Sequence, residues 1–243
     1  GIVESATTYQ RRTVADDAFR IVQGLFDPIV EIDHVEDGII EILVMGGEYG
    51  PFDLEDTPSF QLAPGVLLRP MLRYLDKEGE LRKIQPIPWT YLDVNKVDRS
   101  RGFCEMKTGV FAPITGKRRR RVEALAIVIK PKGKTSKLRL RPYRNPTKAL
   151  VGYNVTAVNK LPRKQTKEEK VIGIRAEDEL KPIRMLTDRW GDVNVPVDPE
   201  HGLRWLYIRN GKSLLARVPF VPGIDERVTL TVPDDSLRLS VEG

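Results

Sequence analysis

The residues best suited to chemistry in this sequence are cations, and they are concentrated between Lys117 and Arg144. The segment contains a Lys-Arg-Arg-Arg-Arg run, an apolar stretch, a Pro-Lys-Gly-Lys turn and a stretch in which arginine alternates with leucine. Clustered guanidinium and ammonium groups bind anionic groups and raise the local concentration of anions. We therefore predict anion binding by Arg118, Arg119, Arg120, Arg121, Lys130, Lys132, Lys134, Arg139 and Arg141.

The overall charge conceals how unevenly these cations are distributed. The chain has a net charge of +6, but residues 99–170 hold 21 Lys/Arg against 4 Asp/Glu, a local charge of +17. The remaining residues hold 19 Lys/Arg against 30 Asp/Glu, a charge of −11. This asymmetry predicts a basic face whose field the net charge alone would not reveal.

The basic segment is interrupted by an apolar stretch, Val122 to Ile129, with apolar residues at both parities. A stretch of this kind, rich in β-branched residues and ended by Pro and Gly, predicts an interior strand. About nine residues at ~3.3 Å each place the cations at its two ends roughly 30 Å apart. That separation exceeds the ~8 Å screening length at physiological salt, so the two ends should act as separate patches that only an extended polymer contacts together.

Other reactive side chains are few or scattered. The two histidines, His34 and His201, fall next to turns, where most histidines have no acid–base role, and no nucleophile, phosphate-loop or zinc motif occurs. Acidic residues cluster between Glu48 and Asp56 in a long loop; a divalent cation site there remains an alternative to a solvated loop. We therefore predict no catalytic residue, no cofactor and no metal ligand.

Cys104 is the single cysteine, which excludes an internal disulfide and a thiol-rich metal site. We predict a buried, unreactive thiol. No apolar run approaches the ~20 residues of a transmembrane helix.

The elements that must position the cations are mainly strands. Residues 5–26 have apolar side chains at helical spacing and predict one amphipathic helix. After Pro28, short apolar runs alternate with Gly and Pro turns, and Asp37-Gly38 and Asn210-Gly211 predict two-residue hairpins. Val66–Leu75 and Leu81–Ile84 predict a third hairpin, and Pro70 indicates an edge strand.

Tyr143-Arg144-Asn145-Pro146 marks the predicted domain boundary. We expect a helix plus an antiparallel β domain in residues 1–146, and a β-sandwich in residues 147–243. The predicted fold class is mainly β, with two sandwich-like or barrel-like domains and one N-terminal helix.

The second predicted domain contains Thr187-Asp188-Arg189-Trp190-Gly191-Asp192-Val193, followed by a strand with a glycine turn. This run resembles the Thr-Asp-x-x-Gly turn of the transthyretin-like and carboxypeptidase-regulatory-like β-sandwich superfamily, over residues 147–220 at most. The resemblance implies an immunoglobulin-like sandwich of the accessory kind found on exported bacterial proteins, which favours an extracytoplasmic location. It implies no catalytic residues.

Three functions fit these observations. The first is a non-enzymatic binding or scaffolding module whose basic surface binds either an anionic polymer, such as envelope glycans or lipid headgroups, or an acidic protein surface. The second is a nucleic-acid-binding protein, although no known recognition motif occurs and the aromatic residues considered for stacking lie outside the basic segment. Those residues are Trp89, Tyr91, Trp190, Trp205 and Tyr207. The third is a glycan-active enzyme with two carboxylates about 5 to 10 Å apart.

Overall fold

The protein is mainly β in the computed structural model, and 57% of the described residues lie in strands. The structure describes residues 29–36, 38–44, 62–98, 100–111, 113–114, 120–161, 182–198 and 200–233, together with 7, 11–12, 14–15, 17–18 and 180. Most of the predicted helix over residues 5–26 lies outside them, as does the acidic loop from Glu48 to Asp56. Within the described residues, no helix is long and apolar enough to cross a membrane.

Fourteen strands are described. They are β1 (Ile29–Glu36), β2 (Ile39–Val44), β3 (Leu67–Leu75), β4 (Leu81–Pro86), β5 (Thr90–Asp98), β6 (Arg101–Thr108), β7 (Val122–Val128), β8 (Thr135–Pro142), β9 (Asn154–Val158), β10 (Ile183–Leu186), β11 (Asp192–Pro196), β12 (Arg204–Asn210), β13 (Ser213–Phe220) and β14 (Arg227–Val232).

The chain forms two compact units. The barrel unit comprises Gly1–Lys107 with Ala112–Ile129, and the sandwich unit comprises Thr108–Phe111 with Lys130–Gly243. The division therefore falls after β7, before the predicted boundary at Tyr143–Pro146. The reason is that β8 pairs with β11 and β14, which follow it in the chain.

Six strands of the barrel unit close on themselves in the order β3-β5-β6-β2-β1-β7, because β7 pairs with both β1 and β3. Inward-facing residues alternate with outward-facing ones, as closure requires. The interior is filled by the buried side chains of Val30, Ile32, Ile40, Ile42, Leu68, Ile87, Leu92, Val94, Cys104, Ile114 and Ala126.

All three predicted hairpins are confirmed, and one of them is formed by β3 and β4, which pair antiparallel. In the barrel unit β1 and β2 pair antiparallel around Gly38, whose φ is +82°; Asp37 lies outside the described residues. In the sandwich unit β12 and β13 pair around Gly211, whose φ is +56°. A type I′ turn needs this left-handed backbone, which glycine adopts without strain.

The edge position predicted for the strand containing Pro70 is wrong. β3 pairs with β7 along one side, and with β5 and then β4 along the other. Pro70 falls between the residues that pair with β5 (Leu67 and Leu68) and those that pair with β4 (Met71 onward). Its missing N–H therefore lies in a gap of that ladder, where the prolyl carbonyl accepts a hydrogen bond from the Ile87 amide at 2.9 Å.

The sandwich unit consists of a four-stranded sheet, β10-β9-β12-β13, and a three-stranded sheet, β11-β8-β14, in which β8 and β14 run parallel. β12 is buried on both faces. Leu206 and Ile208 are fully buried on one face, and Trp205 and Tyr207 pack with Val158 on the other. The predicted Thr-Asp-x-x-Gly turn joins β10 to β11 and so connects the two sheets.

Candidate anion-binding pocket

A basic pocket lies in the barrel unit, at the end of β3 where β4 takes the place of β5 as its neighbour. β3 pairs with β5 through Leu67 and Leu68, and with β4 from Met71 to Leu75. Leu68 points into the barrel core, and Leu72, four residues further along β3 on the same face, packs against that core. Tyr74 continues this face past the closed part of the barrel, because alternate residues of a strand share a face.

The register places a cation and an apolar residue on either side of Tyr74. Tyr74 lies directly opposite Lys83 on β4 and directly opposite Val122 on β7. The β3–β4 register shifts between Tyr74 and Leu75, which leaves Arg82 as an extra residue between Leu81 and Lys83. A bulge of this kind redirects side chains, and here both Arg82 and Lys83 line the pocket.

The opposite wall comes from the turn that precedes β7. Arg121 has a φ of +67°, a left-handed conformation that is uncommon for a residue with a side chain. The Leu75 amide donates a hydrogen bond of 2.9 Å to the Arg121 carbonyl, which fixes the turn to the end of β3. Strained backbone held in place by neighbouring structure is a feature of many functional sites.

The resulting pocket has a volume of about 460 Å³, and the described residues that line it are Tyr74, Leu75, Arg82, Lys83, Gln85, Arg120, Arg121 and Val122. Four of these are cations and none is acidic. The four cations are exposed, whereas Tyr74, Leu75 and Val122 are half-buried. The pocket thus combines a largely apolar floor with a cationic rim.

The four cations of the pocket are not neutralised by carboxylates of the described residues. Within the described residues, no carboxylate forms an ion pair with any of the four; Lys83 donates a hydrogen bond to the Gln85 amide oxygen at 3.0 Å. Glu123 is adjacent to Val122 but bonds to Arg73, its register partner on β3, at 2.6 Å. Asp76 accepts the amides of Glu78 and Glu80 within its own hairpin turn.

The nine residues predicted to bind anions are distributed over both units. Arg120 and Arg121 line the pocket, whereas Arg118 and Arg119 lie outside the described residues. Lys130, Lys132 and Lys134 belong to the sandwich unit, on the connection before β8. Arg82 and Lys83 were not predicted, since no local signal in the sequence joins β4 to the start of β7.

Arg139 and Arg141 have partners inside the sandwich unit. The Arg139 guanidinium donates hydrogen bonds to both carboxylate oxygens of Asp192, which is almost fully buried. Nη1 of Arg141 donates to the carbonyls of Leu140 and Trp190, at 2.8 and 2.9 Å. These contacts tie the Thr-Asp-x-x-Gly turn to β8, so both arginines already have a structural role.

The two histidines lie beside carboxylates. His34 is exposed, and its Nε2 is 3.5 Å from Glu36. His201 lies 3.8 Å from Asp198, which also receives hydrogen bonds from backbone amides and from Asn159, and forms an ion pair with buried Arg204. Burial raises the pKa of Asp198, but the amides of Glu200 and His201, Arg204 and Asn159 outweigh it and lower the pKa overall.

Three further kinds of group bear on the alternative functions: metal ligands, carboxylates with a raised pKa, and aromatic side chains. Within the described part of the chain, no three His, Cys, Asp or Glu side chains could hold a metal ion together. Burial raises the pKa of Asp93 on β5, Lys107 opposes this effect and Glu105 adds to it. Trp205 and Tyr207 are buried, so packing explains them, whereas Trp190 is 59% exposed with the Arg189 guanidinium 5.1 Å from its ring centre.

Comparisons with known proteins assign no family to the chain: no protein-family model, no curated protein and no solved structure matches it.

Proposed function

We propose that this chain is a non-enzymatic β-rich binding module that binds an anionic polymer through the basic pocket of the barrel unit. The observation that carries the proposal is the convergence of Arg82, Lys83, Arg120 and Arg121 on one cavity whose described lining contains no carboxylate. Cations spread evenly over a surface are common, but four cations that share a concave site create a focused positive potential.

The chemistry of the rim favours phosphate, sulfate or carboxylate groups on the polymer. A guanidinium group donates two parallel hydrogen bonds to such an anion, and three of the four rim cations are arginines. Lys83 adds a compact charge that can follow an anionic group as it moves. Exposure of all four side chains leaves them accessible to a polymer too large to enter the pocket.

Features of the sandwich unit support a role as an accessory domain. Its Thr187–Val193 turn resembles that of the transthyretin-like and carboxypeptidase-regulatory-like superfamily. The Thr187 hydroxyl donates to the Leu150 carbonyl and accepts the Tyr153 amide, and Asp188 accepts the amides of Trp190 and Asp192. We include in the proposal an extracytoplasmic location, with an envelope glycan, a lipid headgroup surface or an acidic protein as the partner.

Nucleic-acid binding is the second candidate, and Tyr74 favours it. Tyr74 lies more than 40 residues before the arginine run in the sequence, but the pairing of β3 with β7 places it in the same pocket as Arg120 and Arg121. Aromatic side chains beside backbone-binding cations are the usual means of binding single-stranded nucleic acids.

The proposal is tested by binding of heparin, long-chain polyphosphate and single-stranded oligothymidine, measured by fluorescence anisotropy at several salt concentrations. The test variant is Arg120→Glu/Arg121→Glu, and the control is Lys148→Glu/Lys212→Glu, which changes the net charge equally at two exposed positions outside the barrel unit. We expect the test variant to bind about tenfold or more weakly. The slope of log affinity against log salt concentration should also be smaller by at least about 1.4, because fewer ionic contacts release fewer counterions on binding.

Two results would contradict the proposal. One is the absence of binding to any of these polyanions by the parent protein at physiological salt. The other is an equal loss of affinity in the test and control variants, which would assign binding to total charge and not to the pocket. A third variant, Lys132→Glu/Lys134→Glu, shows whether the lysines before β8 contribute.

A further inference from the structure

The basic pocket has two chemically distinct parts, and a simple polyanion would use only one of them. The rim carries four cations, but the floor consists of Tyr74, Leu75 and Val122, all half-buried. A chain of sulfate or phosphate groups has nothing to place against this floor. Its apolar surface indicates a ligand with a ring or other apolar portion next to its anionic group.

The size of the pocket limits that ligand to about one ring system with its charged substituent. Lys83 and Val122 flank Tyr74 as direct partners on neighbouring strands. Neighbouring strands lie about 4.8 Å apart, so the two flanks are about 10 Å apart. A volume of about 460 Å³ falls within the range of small-molecule sites.

The charge of the rim favours a ligand with several negative charges on adjacent atoms. A sugar carboxylate, a sulfate ester or an internal phosphodiester supplies one charge per unit. A phosphomonoester supplies about 1.5 to 2 at neutral pH, and a diphosphate supplies more. Arg82, Arg120 and Arg121 can each form paired hydrogen bonds with such a group, since a guanidinium presents parallel donors to phosphate oxygens.

The position of Tyr74 relates the two parts. Tyr74 belongs to the floor, and its register partners are Lys83 of the rim on β4 and Val122 of the floor on β7, so it lies where the two parts meet. An aromatic side chain stacks with any of the nucleobases, because every base has a π-face. A ligand with a phosphate next to a flat ring therefore matches floor and rim together.

We infer that the pocket binds a nucleoside phosphate unit, with the phosphate among the rim arginines and the base against Tyr74. The unit can be a free nucleotide or the phosphorylated end of a single strand, since both present the same chemistry. This inference deepens the proposed function and rests on it, because both require the rim cations.

The test compares ligands that differ in one part only. Binding of ADP, inorganic pyrophosphate, 5′-phosphorylated oligothymidine, the same oligonucleotide without its terminal phosphate, and heparin is measured by titration calorimetry. The variants are Tyr74→Leu, which removes the ring, and Tyr74→Phe, which keeps it; circular dichroism establishes that both are folded.

We expect the parent protein to bind ADP about tenfold more tightly than pyrophosphate, and Tyr74→Leu to remove that difference without changing pyrophosphate affinity. Tyr74→Phe should retain the preference for ADP, and it keeps the test decisive if Tyr74→Leu fails to fold. A stronger interaction with the 5′-phosphorylated strand than with its unphosphorylated form, in the absence of ADP binding, assigns the site to a strand end.

The negative outcomes separate the two proposals. Equal affinities for ADP and pyrophosphate in the parent, together with no effect of the terminal phosphate, overturn the nucleoside phosphate inference. If heparin still binds and depends on Arg120 and Arg121 in that case, the proposed function stands. If none of the probes binds at physiological salt, both are overturned.

Discussion

Arg139 and Asp192 form a two-point ion pair in the sandwich unit, with Nε to Oδ1 at 2.7 Å and Nη2 to Oδ2 at 2.9 Å. The two residues are register partners on β8 and β11, so the contact crosses one step of the sheet. It joins the Thr-Asp-x-x-Gly turn to a strand that precedes it by about 50 residues. An arginine that the sequence assigns to anion binding thus has an anion of its own chain as its partner.

The first prediction concerns the pH dependence of this pair. Hydrogen bonds from Arg139 lower the pKa of Asp192; burial opposes the shift, and the charges of Arg139, Lys137 and Arg227 add to it. A carboxyl whose pKa is lower in the folded state stabilises the fold above its unfolded pKa of about 3.9 and loses this effect as the pH falls through the folded value.

Asp192→Asn should therefore lower the melting temperature at pH 7, and the difference from the parent should shrink as the pH falls below about 4. Thermal unfolding followed by circular dichroism between pH 2 and pH 7 measures this. Glu226→Gln, at an exposed position, is the control and should change little at any pH. A constant difference down to pH 2 would show that the carboxylate charge is not what stabilises the turn.

Local features of the sequence predicted much of the strand structure. Asp37-Gly38 and Asn210-Gly211 specify their hairpins because few residues other than glycine, asparagine and aspartate tolerate a type I′ turn. The division between units was not predictable in this way. β8 follows β7 closely in the chain, but its partners β11 and β14 begin at Asp192 and Arg227, and their pairing depends on long-range packing.

The candidate site was predicted only in part for the same reason. The arginine run indicated anion binding at Arg120 and Arg121, but it could not show that β3 pairs with β7 and so places Tyr74 beside them. Arg82 and Lys83 join the site through a bulge in the β3–β4 hairpin. A shift of one residue in register has no clear signature in the sequence, although it decides which side chains share a face.

The second prediction concerns Gly191, in the turn between β10 and β11. Its φ is +68°, and an added Cβ would lie 2.9 Å from the Leu150 nitrogen and 3.0 Å from the Leu140 carbonyl oxygen. Gly211 also has a positive φ, +56°, but a Cβ added there would have no atom within 4 Å. Alanine at Gly211 should lower the free energy of unfolding by about 1 kcal/mol through backbone strain alone.

Alanine at Gly191 should lower the free energy of unfolding by more than about 2 kcal/mol, because steric overlap with two backbone atoms adds to the strain of a positive φ. Guanidinium-induced unfolding of the two variants measures the difference. Equal losses at the two positions would mean that the turn moves readily to accommodate a methyl group.

The third prediction concerns Cys104, which is fully buried in the barrel core. Burial, with a smaller contribution from the charge of Asp93, raises the pKa of the thiol to about 12. Only the thiolate reacts readily with disulfide reagents, so the native protein should react very slowly at pH 8. In denaturant the same thiol should react completely within minutes. The absorbance change after addition of a chromogenic disulfide reagent measures the reaction of the native and of the denatured protein. Rapid reaction in the native state would show that this part of the barrel opens.

The last prediction concerns Arg121, where one substitution should weaken binding without lowering stability. Its φ of +67° is strained for arginine and unstrained for glycine, and the strain is of the order of 1 kcal/mol. The hydrogen bond that fixes the turn involves the Arg121 carbonyl, so it survives any change of side chain. Arg121→Gly should therefore leave the protein at least as stable as the parent, while polyanion binding weakens through loss of a rim cation.

Arg120→Gly is the matched control, because it removes the same charge at a neighbouring position that has no left-handed backbone. It should weaken polyanion binding similarly, but it should also lower stability slightly, since glycine adds freedom to the unfolded chain. Melting temperatures and heparin affinities of the two variants, measured together, test this. If Arg121→Gly destabilises the protein more than Arg120→Gly, then the Arg121 side chain supports the fold, and its strained backbone is not explained by a role in binding.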